Sequence, residues 1–164
     1  MKTVRKSPLF KNLDENEIEE ILNITRERRF QKNDIIMQEG DEGDTMYMVL
    51  TGEVGVSKTL TMKFGDDDYR RTEKVLTHLR AQDRVIFGEM ALICQDNRSA
   101  SILAKSDCVL LEIKRDDFMR LTENKAELGV KILLNLAELL IGRLKQSSQD
   151  VTRLTTALSI ALSK

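Results

Sequence analysis

Residues 87–101 read FGEMALICQDNRSAS and place an acidic Glu89 and a basic Arg98 nine positions apart, beside apolar runs. A carboxylate only accepts hydrogen bonds; a guanidinium only donates them, in a planar fork that matches two oxygens of an anion. Charged groups in such surroundings are either paired with each other or held for a partner. Two readings stand open on spacing alone. Glu89 and Arg98 form an ion pair inside an empty fold, or they wait for a ligand.

Other reactive residue types are sparse. His78 is the only histidine and sits in the strand-like run KVLTHL, and no Gly-x-Ser-x-Gly elbow is present, so no enzyme is expected. Cys94 and Cys108 lie in apolar sequence without metal-ligand spacing, and both read as buried, reduced thiols of a cytosolic chain. No metal or cofactor is expected. Lys and Arg total 26 against 27 Asp and Glu, a balance that argues against a nucleic-acid-binding face. Met1–Phe10 is basic without an apolar core, unlike a signal peptide. The longest apolar stretch, ILLNLAELLI at 132–141, is interrupted by Asn135 and Glu138 and is too short to span a bilayer. The expectation is a cytoplasmic protein without membrane or DNA binding.

Three zones must position the Glu and the Arg. With 164 residues the chain can build one cored domain and an appended helix. In residues 7–27, Leu13, Ile18, Ile21, Leu22 and Ile24 fall near helical spacing, with Asp14 as N-cap and Glu17 three residues on. From about 28 to 114 the character changes. Six of the eight glycines fall between 40 and 88, and short apolar runs (MYMVL, EVGVSK, KVLTHL, CVLLEI) alternate with turn-like stretches such as EGDEGD and CQDN. That pattern predicts an all-β sandwich or barrel. DDFMRLTENK then reads as a short capped helix, and a long helical pattern starts near Ala126. Within it Ala137, Leu140, Leu144, Ser147, Val151, Leu154, Leu158 and Ala161 recur at alternating spacings of three and four. Such a heptad-like seam predicts a homodimer through the C-terminal helix. The division is therefore 1–125 for a β domain with its N-terminal helix, and 126–164 for a lid or dimerisation helix.

With these motifs placed, the chain resembles the cyclic nucleotide-binding domain of catabolite activator proteins, kinase regulatory subunits and gated channels. The resemblance runs from about Leu9 to the end. IIMQEGDEGDTMYMVLTGEVGV matches its early barrel strands, and FGEMAL followed by RSAS matches its phosphate-binding cassette. It implies a jelly-roll-like double-stranded β-helix barrel, flanked by an N-terminal helix and a long C-terminal one. Three features depart from the family's pattern and bear on the rim of the pocket. Gln82 stands near the place of a usual glycine, Asn97 replaces a common proline, and SKTLTMKFGDDDYRRTEKVL makes a longer hairpin.

A cyclic nucleotide offers an anionic phosphodiester, a ribose 2′-hydroxyl and a flat purine. Gly88 lets the backbone approach closely, and the segment through Met90 and Ala91 presents N–H groups at a helix start. Arg98 supplies the fork for two phosphate oxygens, and Glu89 accepts from the 2′-hydroxyl. Ser99 adds a hydroxyl for the phosphate or the base. The resemblance to catabolite activator proteins further implies that Ser147 and Ser148 contact adenine from the long helix. That helix continues its seam to the end of the sequence, where those proteins carry a helix-turn-helix domain. The expected ligand is cAMP, with cGMP as the alternative, because the family often has Ala after the Arg for cAMP and Thr for cGMP, and Ser99 is neither. The signal must pass to a downstream protein, which the sequence does not identify, or act within a longer parent chain. The rival reading is a degenerate domain that keeps the fold but binds another anionic ligand or only a protein. Some relatives sense haem ligands or redox state, for which one His and two dispersed Cys offer little.

Overall fold

The computed structural model describes residues 4–63, 69–83, 85–94 and 96–163. Eight strands form two antiparallel four-stranded sheets. The strands are β1 (Thr25–Phe30), β2 (Ile35–Met37), β3 (Thr45–Thr51), β4 (Glu53–Lys63), β5 (Tyr69–Arg80), β6 (Ile86–Phe87), β7 (Ser101–Ala104) and β8 (Cys108–Lys114). One sheet has the order β1-β8-β3-β6 and the other β2-β7-β4-β5. Chain-adjacent strands are thus often apart in space, and the two sheets form a sandwich, as the sequence pattern predicts, with the jelly-roll-like layout that the resemblance implies.

The middle strands are buried on both faces, which is why MYMVL and CVLLEI read as unbroken apolar runs. Successive side chains along a strand point to opposite faces. On β3 and β8, Met46, Met48, Leu111 and Ile113 join a core shared with the helices. Tyr47, Val49, Cys108 and Leu110 join Val54, Phe87, Ile102 and Ala104 in a second core of strand residues.

Helix α1 (Glu15–Asn23) starts with the expected reciprocal cap: the Asp14 carboxylate accepts from the Glu17 N–H and the Glu17 carboxylate from the Asp14 N–H, both at 2.9 Å. It ends earlier than the apolar spacing predicts. Thr25–Phe30 leaves the helix to pair with β8, so the helical reading through residue 27 is corrected. After β6, α2 (Met90–Ile93) is a single turn. Helix α3 (Arg115–Asn124) has no side-chain cap, contrary to expectation; Asp116 and Asp117 in its first turn face the positive end of the helix dipole instead.

Helix α4 (Ala126–Leu162) begins at the predicted residue and runs for 37 residues. Leu128, Ile132 and Leu136 are buried in the helix-side core. Asn135, also buried, donates to the backbone carbonyls of Leu9 and Lys11 at 2.9 and 2.8 Å. Three ion pairs, Lys125–Glu20, Lys131–Glu17 and Lys11–Glu138, tie the same half of α4 to the N-terminal region. Beyond Ile141 every described residue of α4 is exposed, including Leu144, Val151, Leu154 and Leu158. No described helix is long and apolar enough to cross a membrane. Of the two cysteines only Cys108 is buried; Cys94, at the C-terminal end of the single-turn α2, is exposed, contrary to expectation.

Candidate functional site

Arg98 lies on the loop between α2 and β7, only 9% exposed, and its fork is fixed from β3. Nη1 donates to the Thr45 carbonyl and Nη2 to the Thr45 hydroxyl, both at 2.7 Å. The Arg98 backbone is held as well: its N–H donates to the Asp41 carbonyl at 2.8 Å, and its carbonyl accepts from the Gly40 N–H at 3.0 Å. The EGDEGD stretch is therefore the cradle of the arginine. At Gly43 a Cβ would stand 2.2 Å from Arg98 Nε, so a side chain there would displace the guanidinium. Gly88 supports the fork from the other side. Its φ is +74°, and a Cβ would meet the Thr45 carbonyl at 2.8 Å and Arg98 Nη1 at 2.9 Å. Burial pulls the pKa of Arg98 below its ordinary value, against the opposing pull of Tyr47, Asp44 and Asp41.

Glu89 is 4% exposed and does not pair with Arg98. Its Oε1 accepts from Arg143 Nη1 of α4 at 2.5 Å, and Arg143 Nη2 donates to the Ile86 carbonyl at 2.6 Å. Of the two arrangements open on spacing, a direct Glu89–Arg98 ion pair is not the one formed. Each charge has its own partner, and both face one cavity.

That cavity has a volume of 250 Å3, near the low end of small-molecule sites, which run from about 300 to 1,000 Å3. Gly88, Glu89, Met90, Ala91, Arg98 and Ser99 all line it, so six of the eight sequence-predicted site residues meet there. An apolar wall of Val56, Leu79 and Ile102 lines it as well, with Thr77, Asp96 and Asn97 as further polar residues. A flat, mostly apolar group fits that wall while an anion faces Arg98. In α2 the Ala91 and Leu92 N–H groups bond back to the Gly88 and Glu89 carbonyls at 3.1 Å. The amides of Glu89 and Met90, just before them, are the candidates for an anion.

Ser147 and Ser148 are exposed on α4 and do not line the cavity of a single chain. Ser147 is one helical turn beyond Arg143, which does line it. Sequence reasoning missed Arg143 and Thr45. The buried Glu89 was the available signal, since a carboxylate removed from water needs a cation, and Arg98 was not the only candidate. Among the described residues no group of three or more His, Cys, Asp or Glu side chains is arranged to hold a metal ion.

The model of the cyclic nucleotide-binding domain family matches residues 27–125, which contain both sheets except the first two residues of β1. The chain belongs to this family. It is 29% identical over 157 residues to the cyclic AMP receptor protein of Thermus thermophilus, covering 91% of this chain and 62% of the relative. The crystal structure of the Thermus thermophilus catabolite activator protein superposes with a TM-score of 0.75 at 30% identity, over 91% of this chain and 63% of that one. Human cGMP-dependent protein kinase 2 is 31% identical over 116 residues, 70% of this chain but only 14% of the kinase. The chain thus spans under two thirds of these relatives, and the part that the family model matches is the cyclic nucleotide-binding domain.

Proposed function

We propose that this chain is a cyclic nucleotide sensor whose ligand is cAMP in preference to cGMP, and whose α4 couples binding to homodimerisation. The observation that carries the reading is the pair of buried charges that line one cavity without pairing with each other: the Arg98 guanidinium held by Thr45, and the Glu89 carboxylate held by Arg143. Arg98 would take the phosphate, Glu89 the ribose 2′-hydroxyl and the apolar wall the purine. Arg143 leaves the second carboxylate oxygen of Glu89 free of its own bond, so the pair does not exhaust the acceptor. The relatives named for cyclic AMP and for cGMP support the ligand class, and the choice of adenine rests on the serines.

The exposed seam supports the dimer. Val130 and Leu133, exposed on the first half of α4, extend the three-four spacing backward by one heptad. The seam then runs from Val130 to Ala161, with Val, Ala or Leu at one core position and Leu, Ser or Ala at the other. In a parallel two-stranded coil Arg143 occupies a flanking position and faces Ser148 of the partner subunit across the seam. Ser147 from one chain and Ser148 from the other would then complete the cavity beside the base. A hydroxyl pair both donates and accepts, as the amine and ring nitrogen of adenine require. Residence in the cytoplasm, no DNA binding by this chain and a downstream protein partner belong to the same reading.

The test is calorimetry on nucleotide-stripped protein with cAMP and cGMP, alongside light scattering at tens of micromolar. Heat with cAMP at lower concentration than with cGMP, from a dimer, is the expected result. No heat with either at millimolar concentration removes the sensor reading and leaves a fold that serves another anion or a protein. A monomer removes the role of the seam.

A further inference from the structure

We infer that Glu112, buried in β8 far from the cavity in sequence, is a positioning residue for Arg98, acting through the hydroxyls of Tyr47 and Thr45. The inference rests on the proposed anion-binding role of Arg98 and deepens it. Arg98 Nη2 donates to Thr45 Oγ1 at 2.7 Å, Thr45 Oγ1 donates to the Tyr47 hydroxyl at 3.5 Å, and that hydroxyl donates to Glu112 Oε1 at 3.1 Å. All four residues are less than a tenth exposed.

The direction of this chain of bonds is forced. A guanidinium has no acceptor and an ionised carboxylate has no donor, so each hydroxyl between them must accept from the Arg98 side and donate toward Glu112. Burial raises the Tyr47 phenol above its ordinary value, which keeps its proton available for donation. Tyr47 is fixed in turn by its stacking on Phe87, at 5.4 Å between ring centroids, and by its place opposite Glu112 in the β3–β8 ladder. Aligned hydroxyls in a low-dielectric interior polarise one another, so the Thr45 oxygen that receives Arg98 becomes a better acceptor because Glu112 ends the chain. Asp41 and Asp44 also pull on Arg98, but both are exposed and screened by water. Glu112 is the charged group that orients Arg98 from inside the protein.

The experiment measures cAMP and 2′-deoxy-cAMP affinities by calorimetry for Thr45→Val, Thr45→Ser, Tyr47→Phe and Glu112→Gln. Thr45→Val is expected to weaken cAMP about tenfold, and Tyr47→Phe and Glu112→Gln about threefold each. Thr45→Ser restores the hydroxyl and stays within about twofold of wild type. The same factors apply to 2′-deoxy-cAMP, because the loss is at the phosphate end. In an Arg98→Lys background the three losses disappear, since the relay has no fork to orient. Variants that bind like the wild type, or that lose as much in the Arg98→Lys background, overturn the inference while leaving the sensor reading intact. A ligand-free measurement guards against failure of that reading. In the unliganded protein the Arg98 Nη2 protons, held by Thr45 Oγ1, are expected to exchange with water more slowly than those of an exposed arginine, and Glu112→Gln and Tyr47→Phe to speed that exchange. Unchanged exchange in both variants rejects the relay whether or not cAMP binds.

Discussion

The two charged regions of the cavity, around Arg98 and around Glu89, are supported in different ways. At the Arg98 end every contact comes from the β domain: Thr45 on β3, the Asp41–Gly43 loop, and Gly88. At the Glu89 end the support is Arg143, which arrives from α4 across 54 positions of sequence. The first end is set whenever the sandwich folds. The second is set only when α4 lies in place, and from Arg143 onward that helix has no buried residue to hold it. A ligand that touches both ends therefore reads the position of the helix at one end only. By linkage, whatever α4 gains in order from the ligand, the ligand gains in affinity.

Breaking the fixed end has the largest expected effect. Arg98→Ala removes the forked donor from a shielded site and is expected to weaken cAMP by about 2–4 kcal/mol in calorimetry. Dimer dissociation without nucleotide stays unchanged, because nothing on α4 depends on Arg98. Two changes probe the movable end. Ser147→Ala with Ser148→Ala is expected to cost about 1–3 kcal/mol for cAMP and less for cGMP, and to abolish most of the ligand's effect on dimer dissociation. An equal ligand effect in the double variant and in wild type rules out base reading by the serines. Arg143→Ala follows, at about 1–2 kcal/mol, because it leaves Glu89 buried without its cation while the phosphate contact survives. Its signature is a narrowed preference for cAMP over 2′-deoxy-cAMP, and an unchanged preference breaks the contrast between the two ends.

The smallest effect tests the root of α4. Hydrogen bonding to Lys131 lowers the Glu17 pKa below the ordinary carboxylate value, and the Glu17 bond raises that of Lys131. A depressed carboxylate stabilises the fold above its unfolded pKa and loses that contribution as pH falls through the folded one. A raised lysine stabilises below its unfolded pKa and loses the contribution as pH rises through the folded value. The bridge is therefore complete at neutral pH and weakens toward either extreme. Thermal unfolding of Glu17→Gln against wild type is expected to differ slightly at neutral pH and to converge in acid. A constant gap across that range removes the bridge from the account of the root.

How far the sequence discloses this arrangement depends on where each contact partner lies. Strands buried on both faces announce themselves, as MYMVL and CVLLEI do, and FGEMAL with RSAS carries the cavity floor within fifteen residues. Strand β1 does not, because TRERRF is an edge strand with four exposed side chains, and its apolar support is supplied by β8. Ile24 keeps helical spacing with α1 although the chain has already left the helix, since spacing does not register the pull of a distant strand. EGDEGD reads as a turn; that its glycines make room for a guanidinium appears only when Arg98 is brought 55 positions back onto it. Arg143 is the hardest case. On a heptad flank it looks like any solvated charge, and only the buried Glu89 distinguishes it.

The free half of α4 is also a lever. From Arg143 to Leu162 it covers 20 residues, that is 19 steps along the helix. At a rise of about 1.5 Å each, that is an arm of about 28 Å. A pivot of about 5° at the Glu89 contact sweeps the far end by about 2.5 Å, close to half of the helical pitch of about 5.4 Å. In the proposed dimer, a displacement too small to alter the sandwich would become, at Leu158 and Ala161, large enough to lift side chains out of the holes of a second copy.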